Sequence, residues 1–544
     1  MAFSVMLSGC EKQESDGSGY NFDCAIIGHP ESLDPQFAQD ECSLTVIENL
    51  YTGLVSLDEN GNIKKAAAES YTVSDDGLTY TFKLRNNCFW FYDENEDEEV
   101  SDSECKNVTA YDFEFAFRRM FNPETCSPHR EKYLCIKNAQ SIINGNTDYT
   151  QIGVTAKSDT ELVFELEYPS AEFLNSLTLT PAMPCNEEFF YDTKGRYGLD
   201  DKSVMSDGAF FVRQWFYDPY GNDNFIYMQR NLANNDYDRI YPTALNFYMK
   251  DSFKDAKDAF DKGESDVIMS FICSDATKDE YEVKAYKNYT VGILINPENP
   301  RYSNINIKKA LAFGIDKDSF DEQVSDDISK AYGIIPPDVY ISGKSYRDLT
   351  KDNEPYYSIN DNMNVEYNPD LAVSYYQKGM EQMNLQSLEN TKLLVPENLM
   401  DTEYLHLVTQ SWQTLFGFYI GIEEVPEDVF NSRIEEGNYA LAIYPLTGDY
   451  HSPVSFIEKF ALSEHSIGVY NPQLKSTYDS LLKMGDYSNH LDEIVEAEKT
   501  ILNSFDFIPV FYKTEYEILG KGNKDINYNP FTKQIDFRYA KYFD

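Results

Sequence analysis

Short apolar strands alternate with helices from residue 285 to residue 510. This alternation is typical of α/β lobes, so we predict mixed sheets covered by helices in this half of the chain. One helix is predicted at 306–316 from its helical spacing of apolar residues. A second is predicted to begin at the cap Asn368, with Pro369 in its first turn, and to end near Gly379.

The length and charge of the chain restrict its class. Its 544 residues exceed what one hydrophobic core usually supports, so we expect two or three domains. No apolar run approaches the roughly 18 residues of a transmembrane helix. The 92 acidic residues outnumber the 46 basic ones and give a formal net charge of −46. Such a surface repels phosphate backbones, so we exclude nucleic acid as a partner.

The first half of the chain carries two clear local signals. The strands 71–73 and 79–85 flank the turn Ser74–Gly77 and predict a hairpin. Thr109 and Asp112 have the spacing of a capping box, so a helix is predicted directly after Thr109.

The amino terminus contains an apolar stretch with small residues that ends at Cys10 in the sequence LSGC. It resembles the lipobox of bacterial lipoproteins. In that resemblance Cys10 carries the lipid, and the polar residues 11–19 form a flexible tether. Neither Lys nor Arg precedes Cys10, so we expect the sequence to start inside a longer signal peptide. We therefore expect an extracytoplasmic protein anchored to the cell membrane, at the cell surface or in a periplasm; the alternative is a free cysteine in a frayed terminus.

Metal and cofactor sites are not indicated. The eight remaining cysteines form no CxxC pair and His is scarce, so we expect no zinc site and no cofactor. Their pairing stays open; they are Cys24, Cys42, Cys88, Cys105, Cys126, Cys135, Cys185 and Cys273.

An acidic insert, YDENEDEEVSDSECKN, has partial EF-hand spacing. Positions 1, 3, 5 and 12 of a calcium loop would fall on Asp93, Asn95, Asp97 and Glu104. Glu98 occupies the position that requires Gly, so we interpret the insert (93–104) as a solvated acidic loop, with calcium binding as the alternative.

Seven stretches resemble, in order along nearly the whole chain, the extracellular solute-binding proteins that serve peptide ABC importers (family 5). The oligopeptide-binding branch is the most similar. The stretches are 48–90, 108–128 (VTAYDFEFAFRRMFNPETCSP), 206–215 with 228–238, 304–318, 367–379, 448–456 (GDYHSPVSF) and 507–512.

This resemblance implies a periplasmic-binding-protein-like α/β fold of class II (cluster C), a two-lobe clamp with mixed sheets and an extra inserted domain. Residues 1–20 would be the signal remnant, lipobox and tether. Lobe I would comprise 21–55, 182–288 and 506–544, domain II would be the insertion 56–181, and lobe III would comprise 289–505. The crossings near 285–295 and 503–512 would form the hinge. Lobes that close on a ligand exclude water, so the protein itself must satisfy the polar groups of the ligand.

The resemblance also implies a function without catalysis. We expect a monomeric substrate-binding lipoprotein that captures short peptides and delivers them to a membrane permease. The alternative cargo within the family is an oligosaccharide, a metal chelate such as nickel, or a signalling peptide. The alternative from another class is a secreted hydrolase, although the sequence contains no GxSxG, HExxH, Walker A or GxGxxG motif.

The candidate anchor for a peptide follows an apolar strand, 441–446. The strand breaks at Thr447 and Gly448, and a carboxylate comes next, at Asp449. The resemblance implies that Asp449 binds the ammonium of the ligand, that Thr447 and Gly448 offer backbone groups, and that Tyr450 packs beneath. The alternative is an Asp that starts a turn or caps a helix.

The other side of the site is predicted from the same resemblance. The opposite wall would come from Gln39, Asp40, Glu41 and His129. The oligopeptide pattern has Trp where this chain has Leu446 and Arg where it has Ile443, so the contact for a ligand carboxylate is open. Arg433 is a substitute candidate; the alternative is an ordinary surface Arg.

Overall fold

The structure, a computed structural model, describes residues 18–543 except 59–60, 96–100, 102, 222, 235, 318–327, 332, 352–365, 389–390, 398, 400–401 and 464–466. The strands of this part are β1 (Asn21–Ile27), β2 (Val55–Leu57), β3 (Ile63–Lys65), β4 (Ala68–Val73), β5 (Thr79–Leu84), β6 (Phe89–Phe91), β7 (Cys105–Asn107), β8 (Val154–Ser158), β9 (Glu161–Glu165), β10 (Phe210–Phe216), β11 (Phe225–Arg230), β12 (Ala244–Lys250), β13 (Val267–Ser270), β14 (Glu282–Ile295), β15 (Ile328–Lys330), β16 (Tyr340–Ile341), β17 (Lys344–Ser345), β18 (Thr391–Pro396), β19 (Ile420–Val425), β20 (Leu441–Leu446), β21 (Phe507–Leu519), β22 (Asn523–Lys524), β23 (Asn527–Tyr528), β24 (Ile535–Asp536) and β25 (Lys541–Tyr542).

Helices alternate with these strands along the chain. They are α1 (Glu41–Leu50), α2 (Ala110–Phe121), α3 (Ala139–Ile143), α4 (Phe173–Ser176), α5 (Glu187–Asp192), α6 (Phe253–Asp261), α7 (Asp275–Glu280), α8 (Ile305–Phe313), α9 (Tyr346–Lys351), α10 (Pro369–Met383), α11 (Thr402–Phe416), α12 (Glu427–Glu435), α13 (Pro453–Ala461), α14 (Lys475–Leu481) and α15 (Leu491–Ser504). Short 3₁₀ turns occur at Arg130–Tyr133, Tyr149–Gln151, Thr180–Ala182, Asp201–Ser203 and Tyr237–Arg239. No described helix is both long and apolar enough to cross a bilayer.

The main sheet is mixed, as the alternation of strands and helices predicts. Its order is β13-β21-β14-β20-β18-β19, and β15 also pairs with β21. β18 is parallel to β19 and β20, whereas β14 is antiparallel to both β20 and β21. The long strands β14 and β21 lie side by side between β13, at one end of the sheet, and β20. The expected hinge segments, 285–295 and 503–512, overlap these two strands.

Two smaller sheets complete the architecture. β1, β12, β11 and β10 form one, with β1 parallel to β12, and β4, β5, β9 and β8 form an antiparallel one. One continuous apolar cluster lies beneath both sheets and contains Phe22, Phe82 and Phe117, each at most 1% exposed. The proposed lobe I and domain II therefore share a core.

Strand β20 alternates its side chains between two other cores. Ile443 is fully buried with Val291 on one face of the main sheet, and Leu446 is fully buried with Val454 on the other. This burial explains why the chain has apolar residues at these two positions, since an unpaired Arg or a larger Trp would disturb either core.

The local predictions are confirmed except at two helix ends. The helix predicted to reach residue 316, α8, ends at Phe313. β4 and β5 form the hairpin, and α2 follows Thr109 with its capping box present. α10 begins at Pro369 with Asn368 as its cap, but it ends at Met383 and not near Gly379. Gly379 lies inside the helix because the helix packs on α8 there, where a Cβ would come within 2.6 Å of Ile307 Cδ1. Packing thus explains the glycine that the sequence alone suggested as a helix end.

Candidate functional site

The turn after β20 is held by two hydrogen bonds and by a close approach at Gly448. Thr447 donates from Oγ1 to the backbone oxygen of Asn288 in β14 at 3.2 Å. The backbone N–H of Asp449 donates to Ser455 Oγ at 2.6 Å. A Cβ at Gly448 would lie 2.8 Å from that same Oγ, so only glycine allows Ser455 to reach this turn. The turn therefore presents the side chain of Asp449 in a fixed direction.

Asp449 does not cap the following helix. Ser452 is the N-cap of α13, its Oγ accepting from Val454 N at 3.2 Å, and Pro453 occupies the first position. The carboxylate of Asp449 is thus free for another partner, and the alternative of a capping Asp is excluded.

Two lysines bind the carboxylate of Asp449. Lys459 of α13 donates to Oδ1 at 2.6 Å, and Lys132 donates to Oδ2 at 3.3 Å. The Asp449 side chain is 36% exposed, against 21% for Lys132 and 18% for Lys459. Burial would raise the pKa of the Asp449 carboxyl, but the two ammonium groups outweigh it and hold the pKa well below its usual range.

Lys132 reaches Asp449 from a segment that is fixed on both sides. His129 Nε2 lies 2.8 Å from the backbone oxygen of Ala38. Tyr133 is fully buried and donates from its hydroxyl to Ser176 O at 3.0 Å. The 3₁₀ turn Arg130–Tyr133 that carries Lys132 is therefore well positioned.

His129 itself is buried, at 8% exposure. Burial lowers the pKa of its imidazole to about 4, with a further contribution from the nearby charge of Lys132. Because a carbonyl oxygen only accepts, the neutral ring carries its proton on Nε2. The ring is directed toward Ala38, while Lys132, three residues later, contacts Asp449.

Tyr450 lies behind Asp449, beside a small cavity of about 40 Å³. Burial near Glu172 and Glu458 raises the pKa of the Tyr450 hydroxyl well above its usual value. A volume of this size holds two or three waters at roughly 10–15 Å³ each, not a peptide.

The cavity lies where residues of the expected domain II meet those of lobe III. Ser452 donates from Oγ to the Glu172 carboxylate, and Ala171 N donates to Met484 O at 2.7 Å. Burial raises the pKa of Glu172, and Asn175 also donates to it at 3.1 Å. The buried carboxylate of Glu172 therefore accepts hydrogen bonds from Ser452 of the expected lobe III and from Asn175 of the expected domain II.

The residues expected on the opposite wall lie at the start of α1. Asp40 caps this helix, accepting from Ser43 N at 2.7 Å, and Gln39 is exposed. Glu41 keeps an exposed side chain, yet desolvation by the surrounding protein, with a contribution from Glu427, raises its pKa to about 7 against the effect of Lys533. The helix starts at Glu41 because of the cap at Asp40.

Arg433 uses its donors near its own helix. It donates from Nε to Asn438 O at 3.1 Å and pairs with Glu423 at 3.4 Å. These contacts are those of an ordinary surface Arg at the end of α12.

Other candidate groups are distributed as follows. Cys10 and the lipobox lie outside the described residues, as do Asp97 and Glu98 of the acidic insert. Asp93 pairs with Arg213, and Glu104 accepts from Ser101 Oγ at 2.5 Å. Within the described ranges no group of three or more His, Cys, Asp or Glu residues is arranged to hold a metal, and the eight cysteines of these ranges are not joined in disulfides.

The sequence did not identify the two lysines at Asp449. Lys459 follows Asp449 by ten residues and lies on α13, which starts at the Ser452-Pro453 pair that the sequence shows, so its proximity could have been inferred. Lys132 precedes Asp449 by 317 residues, and its only signal in the sequence is that it follows His129 of the predicted wall by three residues.

The sequence matches the description "Bacterial extracellular solute-binding proteins, family 5 Middle" over residues 62–467. It is 23% identical over 564 aligned residues to the oligopeptide-binding protein OppA of Bacillus subtilis, covering 99% of this chain and 97% of that protein. Among solved structures, the pheromone receptor PrgZ superposes with a TM-score of 0.76 at 23% identity, covering 97% of this chain and all of that one. The Haemophilus influenzae OppA complex with the peptide RPPGFSPFR gives a TM-score of 0.75 at 19% identity, with 98% of this chain and 100% of that chain covered.

Proposed function

This chain belongs to the family of bacterial extracellular solute-binding proteins, and from that premise we propose that it captures short peptides and delivers them to the permease of an ABC importer. The family consists of binding proteins, so the expectation of a binding protein and not an enzyme is confirmed. The α/β two-lobe fold expected from the sequence is likewise confirmed by the structural neighbours.

The observation that carries the peptide proposal is the position of Asp449. Its carboxylate lies at the end of a buried strand, keeps 36% of its surface exposed and needs no backbone partner. A free peptide brings an ammonium group, for which an ionised, partly desolvated carboxylate is the complementary partner. The neighbouring lysines keep this carboxylate ionised.

We propose that capture proceeds by closure of lobe I with domain II (21–288 and 506–544) against lobe III (289–505). Support comes from β14 and β21, which pass side by side through the main sheet. Their register shifts between Tyr286 and Tyr289, where an irregularity in the ladder allows bending. Two adjacent strands are sufficient for a hinge between two rigid units.

Among the described residues, the candidate site offers no evident cation for the carboxyl terminus of the ligand. Leu446 and Ile443 are core residues, and Arg433 is bound to Glu423, so none of the three offers a cation to a ligand carboxylate. The proposed site therefore selects for the amino terminus and the peptide backbone more than for the carboxyl terminus. Peptides of several lengths would fit this requirement.

The test is to incubate the purified protein with a mixed peptide library, separate bound from free peptides, and read both fractions by mass spectrometry. Intact peptides released from the denatured protein are expected. Shortened peptides in the free fraction would instead support a hydrolase. If no peptide is retained while an oligosaccharide or metal chelate is, the cargo is a non-peptide solute.

We further propose that a lipid on Cys10 holds the protein at the outer face of the cell membrane. The polar tract that follows would give the receptor reach toward its permease. Cys10→Ser is expected to move the protein from the membrane fraction to the medium or periplasm. Cys126→Ser, which changes an exposed cysteine elsewhere, is the matched control. Membrane attachment that persists in Cys10→Ser would refute the lipid anchor.

A further inference from the structure

The carboxylate of Asp449 already has two cationic partners. Lys459 occupies Oδ1 and Lys132 occupies Oδ2. A carboxylate offers about four acceptor positions, so geometry alone leaves room for a further donor on the exposed side. The charge balance opposes a further cation, because an additional ammonium would place three cations around one carboxylate.

The two lysines are bound differently. Lys459 lies ten residues after Asp449 on the adjoining helix, and its 2.6 Å contact is short even for a charge-assisted bond. Lys132 comes from a segment 317 residues away, and its 3.3 Å contact is at the long limit. The pair with Lys132 is therefore the weaker of the two, and it is the one that joins separate parts of the molecule.

The turn that carries Lys132 does not depend on this pair. His129 and Tyr133 hold it through contacts with Ala38 and Ser176, all outside the segment that carries Asp449. The ammonium of Lys132 can therefore leave Asp449 by rotation of its four-carbon side chain, with its backbone in place.

We propose that Lys132 is a specificity-determining residue, whose ammonium occupies Asp449 in the ligand-free protein and must be displaced by the amino terminus of the ligand. This inference rests on the proposed function, since it assumes a ligand with a cationic end. It assigns Lys459 as the permanent partner of Asp449 and Lys132 as the exchangeable one.

The consequence is that Lys132 reduces the preference of the protein for peptides with a free amino terminus over peptides with a blocked one. A ligand that brings an ammonium must break the pair with Lys132, whereas a ligand with a blocked amino terminus leaves that pair intact. Removing the charge of Lys132 should therefore favour only the first kind of ligand, because a competitor for the same carboxylate is lost.

The experiment compares one peptide in free and N-acetylated form, using the native protein and Lys132→Met. We expect Lys132→Met to bind the free form about tenfold more tightly, with the acetylated form changed by no more than about twofold, since only the free form competes with Lys132. Lys137→Met is the matched control: Lys137 pairs with Glu165 at the same 3.3 Å but far along the chain from Asp449, and this variant should leave both affinities unchanged. An unchanged ratio of the two affinities in Lys132→Met, or weaker binding of the free form, would overturn the inference.

A ligand-free measurement separates this inference from the proposed function. The thermal midpoints of Lys132→Met, Asp449→Asn and the double variant should not be additive, because the two residues contact each other. Additive shifts would show that the pair does not form and would overturn the inference directly. If the native protein binds neither form of the peptide, the proposed function fails and the inference fails with it. If it binds both and only the ratio is unchanged, the inference alone fails.

Discussion

The ring of His129 donates from Nε2 to the backbone oxygen of Ala38 at 2.8 Å. This bond joins the loop before α1 to the turn that carries Lys132. It also directs a predicted ligand-wall residue into the protein, so that the cation three residues later contacts Asp449. The position of one buried imidazole thus affects which side chain lies at the candidate site.

We expect the imidazole of His129 to make the stability of the protein depend on pH. The folded-state pKa of His129 is lowered to about 4 from 6.5, so the unfolded chain binds the proton more readily. The neutral ring contributes fully above pH 6.5, and this contribution, roughly 3 kcal/mol, is lost as the pH falls from 6.5 through about 4. In urea unfolding, His129→Gln should lose less stability over this interval than the native protein.

The matched control is His406→Gln, since His406 is exposed. It should retain the native pH profile. Identical profiles for the native protein and His129→Gln would show that His129 does not titrate in this way.

We expect substitution of Arg119 to lower the stability of the protein strongly. Its guanidinium is 4% exposed, pairs with Asp34 and lies over the rings of Phe190 and Tyr197 at 4.7 and 5.1 Å. Arg119→Met leaves Asp34 without its charged partner, so we expect a loss of roughly 3–5 kcal/mol in the free energy of unfolding.

The control for Arg119 is Arg196→Met. Arg196 is 65% exposed and pairs with Asp200, four residues later in the same loop, and an exposed pair contributes about 1 kcal/mol or less. Equal losses from the two substitutions would contradict the importance of the buried pair.

We expect Gly448→Ala to lower both the stability of the protein and its affinity for peptides. The Cβ of Gly448→Ala would approach Ser455 Oγ to 2.8 Å and the ring of Phe456 to 2.9 Å. Overpacking of this kind costs roughly 1–3 kcal/mol and would shift the turn that presents Asp449. Gly485→Ala, whose Cβ would be 3.6 Å from Pro169, should change neither thermal stability nor peptide affinity. Full peptide affinity in Gly448→Ala would argue that the turn has no role in presenting Asp449.

The parts of the fold and site that the sequence predicted are those decided by neighbouring residues. Asn368 and Pro369 start α10 because a cap and a first-turn proline act locally. The contact of Lys132 with Asp449 joins residues 317 positions apart, so no local pattern reveals it. Gly379 illustrates the opposite error, since packing against Ile307 explains it better than a helix end does.

The central claim is that Asp449 binds the ammonium of a peptide, and calorimetric titration of Asp449→Asn with a peptide retained from the library tests it most directly. We predict a loss of about 2 kcal/mol or more in binding free energy, within the roughly 2–5 kcal/mol seen when one partner of a close charge pair is truncated. The substitution would leave Lys132, Lys459 and the ligand ammonium without a counter-ion. Asp261→Asn, which removes an exposed helical ion pair, should bind as the native protein does. Unchanged affinity in Asp449→Asn would contradict the claim.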